Sequence, residues 1–167
     1  MTQDKLDITR ATEAIKDIRF VEALGLLESN LAKDPNHIDS LYLAAVCSRY
    51  LKNYDDSKKY IESLLSKAPD MGRAYQELGH LNRDMGNGEN AIAHYRQACE
   101  LNPALLASWK ALYDYFKRNK NKPAADHAFM QMNTLQSIPS ILLYISQILN
   151  EGKLGIAEEK CREFLKK

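Results

Sequence analysis

Cysteine is scarce in this 167-residue chain: three residues, Cys47, Cys99 and Cys161, lie far apart and share no Cys-x-x-Cys spacing. So odd and scattered a set builds neither a disulfide framework nor a zinc site, and all three are expected to be reduced packing residues. Long apolar runs are missing too. None approaches the roughly 18 residues needed to cross a bilayer, and residues 1–16 are too polar for a signal peptide, which predicts a cytoplasmic protein without membrane contact. Charge of one sign is also lacking. Twenty-three basic residues against 22 acidic ones leave a net charge of +1, so there is no basic stripe for nucleic acid and no acidic one for basic clients. Catalytic patterns are equally sparse. His37, His80, His94 and His127 form no His-Glu-x-x-His array, and no strand-turn-helix context surrounds a candidate nucleophile. Gly86-Asn87-Gly88 reads as a turn between helices rather than a phosphate cradle. No catalysis, cofactor or metal ion is expected of this segment.

What the chain does contain is helical periodicity, clearest from Gly72 to Pro103: GRAYQELGHLNRDMGNGENAIAHYRQACELNP. Tyr75, Leu78, Gly79 and Leu81 recur at helical steps, and Ala91, Ile92, Tyr95 and Ala98 repeat the pattern after the turn. Small Gly79 and Ala91 let the two axes approach, with Tyr75 and Tyr95 filling the space beside them. Pro103 ends the unit. Pro69 precedes it by 34 residues and Pro35 by another 34, each closing an apolar-periodic segment.

The columns keep the same period. A small position reads Ala23, Ser57, Ala91, Ala125; a large apolar position four residues later reads Leu27, Ile61, Tyr95, Phe129; the opening of the first helix gives Leu41, Tyr75, Trp109. A 34-residue period with these columns resembles the tetratricopeptide-repeat family over nearly the whole chain. The resemblance implies an all-α, right-handed α-solenoid of about five helix-turn-helix units. Residues 1–167 then form a single domain, with repeats at about 4–37, 38–71, 72–105, 106–137 and 138–167. In the first repeat Leu6, Ile8, Ala11, Ala14, Ile15 and Ile18 supply the apolar face, Asp7 and Arg10 look to water, and Leu24, Leu27 and Leu31 are the buried side of the partner helix. Asp34-Pro35-Asn36 breaks the chain and offers capping side chains to the next helix.

Two departures mark the C-terminal side. Tyr113 stands where the central repeat has Gly79, so that helix pair must open or turn the ring aside. Pro139 lies 36 residues after Pro103, and Ala157 only 32 after Ala125, which predicts a last unit out of register by two, with a short helix from Ser140 to Asn150. The final helix, Leu154 to Lys167, is left without a covering repeat over Ile156, Ala157, Phe164 and Leu165. Truncation of a longer protein is the favoured reading, with a homodimer through that exposed helix as the expected by-product.

In the family the first helix of each repeat lines a concave groove. Carried over, the lining faces are Asp39, Tyr42, Leu43, Val46, Arg49 and Tyr50; Arg73, Gln76, Glu77, His80, Arg83 and Asp84; and Lys110, Asp114, Lys117 and Arg118. Basic side chains outnumber acidic ones and the aromatics gather early, which suits a protein or peptide of mixed polar and apolar character. His80 reads as a polar groove residue rather than a proton carrier. Members that clamp a chaperone's C-terminal carboxylate use Lys, Asn and Arg at inner positions; here Tyr42, Leu43, Val46, Glu77 and Ala111 stand there, and no tight binding of such tails is expected. A narrower resemblance links residues 41–47, 102–109 and 151–154 to the N-terminal repeats of bacterial sulfotransferases. It implies an alternative role, a substrate-recruiting module ahead of a catalytic domain that uses phosphoadenosine phosphosulfate, although no donor-binding residue lies within this chain.

Overall fold

Five helix pairs account for the fold. The computed structural model describes the backbone of residues 3–165 and the side chains of residues 7–165, so the Leu6 side chain and the Lys167 end of the last helix lie outside the described residues. Among these, every regular element is a helix: α1 (Gln3–Lys16), α2 (Phe20–Lys33), α3 (Ile38–Tyr50), α4 (Tyr54–Lys67), α5 (Gly72–Asp84), α6 (Gly88–Leu101), α7 (Leu106–Arg118), α8 (Lys122–Ser137), α9 (Ser140–Asn150) and α10 (Leu154–Leu165). None is long and apolar enough to cross a membrane.

The turns repeat as faithfully as the helices. Two residues past each first helix the backbone enters the left-handed region: Ile18 (φ 62), Lys52 (φ 63), Gly86 (φ 81), Lys120 (φ 56) and Gly152 (φ 71). The next N–H then reaches back five residues: Arg19 to the Ala14 carbonyl at 2.8 Å, Asn53 to Ser48 at 2.8 Å, Asn87 to Asn82 at 2.8 Å, Asn121 to Phe116 at 2.9 Å and Lys153 to Ile148 at 3.0 Å. This is the Schellman arrangement, which satisfies carbonyls that a helix end would otherwise leave open. Four of the left-handed residues are 34 apart and the last follows by 32, so the two-residue loss of register is a property of the backbone.

The chain divides into two compact units. The first comprises residues 1–70 with 80–87, so it holds α1 to α4 and the second half of α5. Its core joins Ala11, Ala14, Ala23, Leu27, Ala44 and Cys47, with Leu24 and Leu31 packed against them. Ser57 occupies the small position of α4 without an unpaired hydroxyl, because its Oγ donates to the Ala45 carbonyl at 2.9 Å. Three expectations are corrected in this unit. Ile18 is the turn residue rather than part of the apolar face and is 74% exposed. Asp7 is buried and faces Lys33 at 3.8 Å instead of water. The cap of α3 comes from His37, whose Nδ1 accepts from the Ser40 N–H at 3.3 Å, while the Asp34 side chain accepts from the Asn36 N–H, before the helix begins.

The second unit comprises residues 71–79 with 88–167. Gly79 earns its place here: a Cβ at that position would lie 2.5 Å from the Tyr95 ring, which is itself buried. One repeat later the sizes are reversed, with Tyr113 for the glycine, and Phe129 is turned outward to 46% exposure. The two rings meet at 5.6 Å. Phe129 therefore leaves the buried column, because Tyr113 already fills the space between the helices, and Ala128 packs inside in its stead. Ala157 is likewise buried beneath Ile145 and Ile148 of its own pair, whereas Ile156, Phe164 and Leu165 remain exposed.

Candidate functional site

The predicted lining residues fall into two sets, one in each unit. In the first, α3 and the end of α5 carry Arg49 and Arg83 one repeat apart, and both converge on Asp84. Arg49 donates to its Oδ2 at 2.8 Å, and Arg83 donates to its Oδ1 at 3.0 and 3.1 Å. Burial pushes the Asp84 carboxyl upward, but the hydrogen bonds from Arg49 and Arg83 outweigh it and hold it below the usual carboxylate range. The Arg49 guanidinium also lies over the Tyr50 ring at 4.4 Å, and Tyr50 stacks on Phe20 at 4.5 Å with an interplanar angle of 2°. Even so, Tyr50 remains 55% exposed.

Beside it opens a cleft of about 420 Å³ lined by Arg49, Tyr50, Lys52, Tyr54, Arg83 and Asp84. Three cations against one carboxylate, framed by two phenol rings, make a site for an acidic group flanked by apolar surface. His80 stands nearby, its pKa lowered to about 4 by burial and by the charges of Arg49 and Arg83. It is neutral at pH 7 and contributes polarity without charge. Of the remaining predicted residues in this unit, Tyr42 is buried and Val46 half-buried. Phe20, Lys52 and Tyr54 were not singled out from the sequence. Lys52 lies in the turn after α3 and Tyr54 opens α4, outside the first-helix faces on which the period is read, and no spacing signals the Phe20 stack.

In the second unit Arg73 donates to Glu151 Oε1 at 3.1 Å, and Lys153 approaches the other carboxylate oxygen at 3.0 Å. Burial raises the Glu151 pKa, yet Arg73 and Lys153 together hold it low. Gln76 accepts from the Ser108 hydroxyl at 3.1 Å, and Glu77 is only 2% exposed. Lys110, Asp114 and Lys117 are exposed, with Lys117 5.3 Å above the Tyr113 ring. This side thus presents an internally paired basic-acidic contact from α5 to the end of α9, which sequence spacing did not signal because the partners are 78 residues apart. No group of three or more His, Cys, Asp or Glu that could hold a metal ion occurs among the described residues.

Comparison with known proteins agrees with the fold. The tetratricopeptide-repeat family model matches residues 72–105, the stretch with the clearest periodicity. Fold and matched repeat together define the class: an all-α chain of the tetratricopeptide-repeat solenoid type. The chain is similar to a MamA structure at 18% identity over 98% of this chain and 88% of that one, with a TM-score of 0.64. A MamA fragment from Desulfovibrio magneticus RS-1 gives 19% identity over 80% and 76%, with a TM-score of 0.67. An O-GlcNAc transferase mutant from Thermobaculum terrenum gives 20% identity and a TM-score of 0.62, covering 70% of this chain and 23% of that enzyme. Among curated protein sequences there is no match.

Proposed function

We propose that this chain is a protein- or peptide-binding scaffold that engages its partner through the inner helix faces and performs no chemistry of its own. The carrying observation is the cleft in the first unit, where Arg49, Lys52 and Arg83 outnumber Asp84 beside the rings of Tyr50 and Tyr54. The fitting partner is a segment with a carboxylate and a neighbouring apolar side chain: the acid completes the cation set and the apolar group packs against the exposed part of Tyr50. In the second unit Gln76, Lys110, Asp114 and Lys117 are the polar side chains offered to a partner.

Selection of peptides from a displayed random library, followed by calorimetry on the winners, tests this reading. Tyr50→Ala and Arg83→Ala should each weaken the selected peptides about tenfold while leaving the helical circular dichroism unchanged. Selected peptides that bind both variants as well as the parent would overturn it.

The likeness to an O-GlcNAc transferase, of which this chain spans 23%, favours a second reading in which the same surface recruits substrate for a transferase. The sulfotransferase form of that alternative rests on the three sequence segments alone. Reading the coding DNA onward from the Lys167 codon discriminates the two: an open frame into an α/β domain supports recruitment, and an immediate stop contradicts it.

A further inference from the structure

A different surface, on α6 and α8 of the second unit, carries a vacancy that the repeat register explains. In the first unit the corresponding place is closed: Tyr60 of α4 donates its hydroxyl to Glu28 Oε1 of α2 at 3.0 Å. Steps of 34 carry Tyr60 to His94 and then Ala128, and Glu28 to Glu62 and then Arg96. Between α6 and α8, therefore, the ring has become a methyl group and the carboxylate a guanidinium.

A cleft of about 340 Å³ opens at that point, with Arg96, Glu100, Trp109, Phe116, His127 and Ala128 among its walls. The lining is pre-positioned. The Trp109 indole N–H donates to the Pro103 carbonyl at 2.9 Å, and its ring meets His127 edge to face at 5.5 Å. Phe116 is buried, with the Arg96 guanidinium 5.2 Å above its ring. Among the described residues Arg96 has no ion pair, although Glu100 lies one turn away on the same helix.

We propose that this cleft docks an aromatic side chain of a partner polypeptide that carries a carboxylate beside it. The occupant's ring takes the space that Tyr60 fills one unit earlier, between Trp109 and Phe116, and its acid pairs with Arg96 in reversed polarity from the Tyr60–Glu28 contact. A polypeptide suits the site better than a free aromatic acid. One ring and one ion pair offset little of the translational and rotational freedom lost on binding, whereas a polypeptide spreads that cost over flanking contacts. This site is independent of the cleft at Arg49 and Tyr50.

Trp109 is the single tryptophan of the chain, so its fluorescence reports occupancy directly. The probes are three blocked pentapeptides, Ser-Glu-Phe-Glu-Ser, Ser-Gln-Phe-Gln-Ser and Ser-Glu-Ala-Glu-Ser, with phenylacetate as the small-molecule control. The first should give a saturable change, the second and third binding at least tenfold weaker. Arg96→Gln should remove the advantage of the first peptide over the second, Ala128→Tyr should abolish the response, and Tyr50→Ala should leave it intact. Absence of a saturable change, equal affinity for the Glu and Gln peptides, or phenylacetate binding as tightly as the first peptide would each overturn the proposal. Should Ala128→Tyr fail to fold, the Arg96→Gln comparison decides alone.

Discussion

Gly79 shows how a single side chain sets the spacing of a helix pair. A methyl group there would already press into Tyr95, whose ring is buried, so Gly79→Leu must push α5 and α6 apart. The expected loss is on the order of 1 to 3 kcal/mol, read by urea unfolding; an unchanged midpoint would mean the pairing face is elsewhere. Ile18 presents the opposite case, a β-branched residue held at φ 62 with its side chain exposed, so it bears strain and buries little. Ile18→Asn keeps the turn and should raise stability by about 0.5 kcal/mol, since Asn visits the left-handed region at lower cost. Asn30 offers a third site. It is buried where the next repeat carries Leu64, and neither amide atom finds a hydrogen-bond partner among the described residues. Asn30→Leu should therefore stabilise the protein by about 1 to 3 kcal/mol, the usual penalty of such an unpaired group.

At the scale of the element, most boundaries were legible because two signals coincide, apolar period and turn chemistry. The bounds of α9 follow from the sequence, as does the two-residue slip before Gly152 and Ala157. The slip was readable because a small residue is required wherever two helices cross closely, so Ala125 and Ala157 mark register independently of the prolines. Phe129 was misread for a reason of the same kind. A column entry records size, but burial depends on the partner across the pair, and Tyr113 had taken the space. His37 escaped notice as a cap because Asp and Asn beside a proline are the stronger local signal, yet the ring nitrogen reaches the Ser40 N–H. Of the candidate site in the first unit, Arg49, Tyr50 and Arg83 could be placed by period, whereas Phe20, Lys52 and Tyr54 join it only through turns and packing between helices; in the second unit Glu151 meets Arg73 across 78 residues of sequence. The left-handed turn itself yields a prediction. Gly152→Val should cost about 1 to 2 kcal/mol by thermal unfolding, through backbone strain alone, because an added Cβ at Gly152 would meet open space.

For the whole molecule, titration gives a check that spans both units. His80 has its pKa lowered to about 4 and His94 is also lowered, in both cases chiefly by burial. The unfolded chain thus binds more protons than the folded one between pH 4 and pH 6.5, so stability should fall as pH drops through that window and be fully present above it. His80→Gln should flatten the slope without reversing it, since His94 still contributes with the same sign. The central claim, that the cleft at Arg49, Tyr50 and Arg83 receives a partner segment, is tested most directly by titrating 15N-labelled protein with a library-selected acidic peptide and following amide and side-chain NMR shifts. Saturable shifts concentrated at Arg49, Tyr50, Lys52, Tyr54, Arg83 and Asp84 are expected. Saturable shifts that leave those six residues unmoved would contradict that claim.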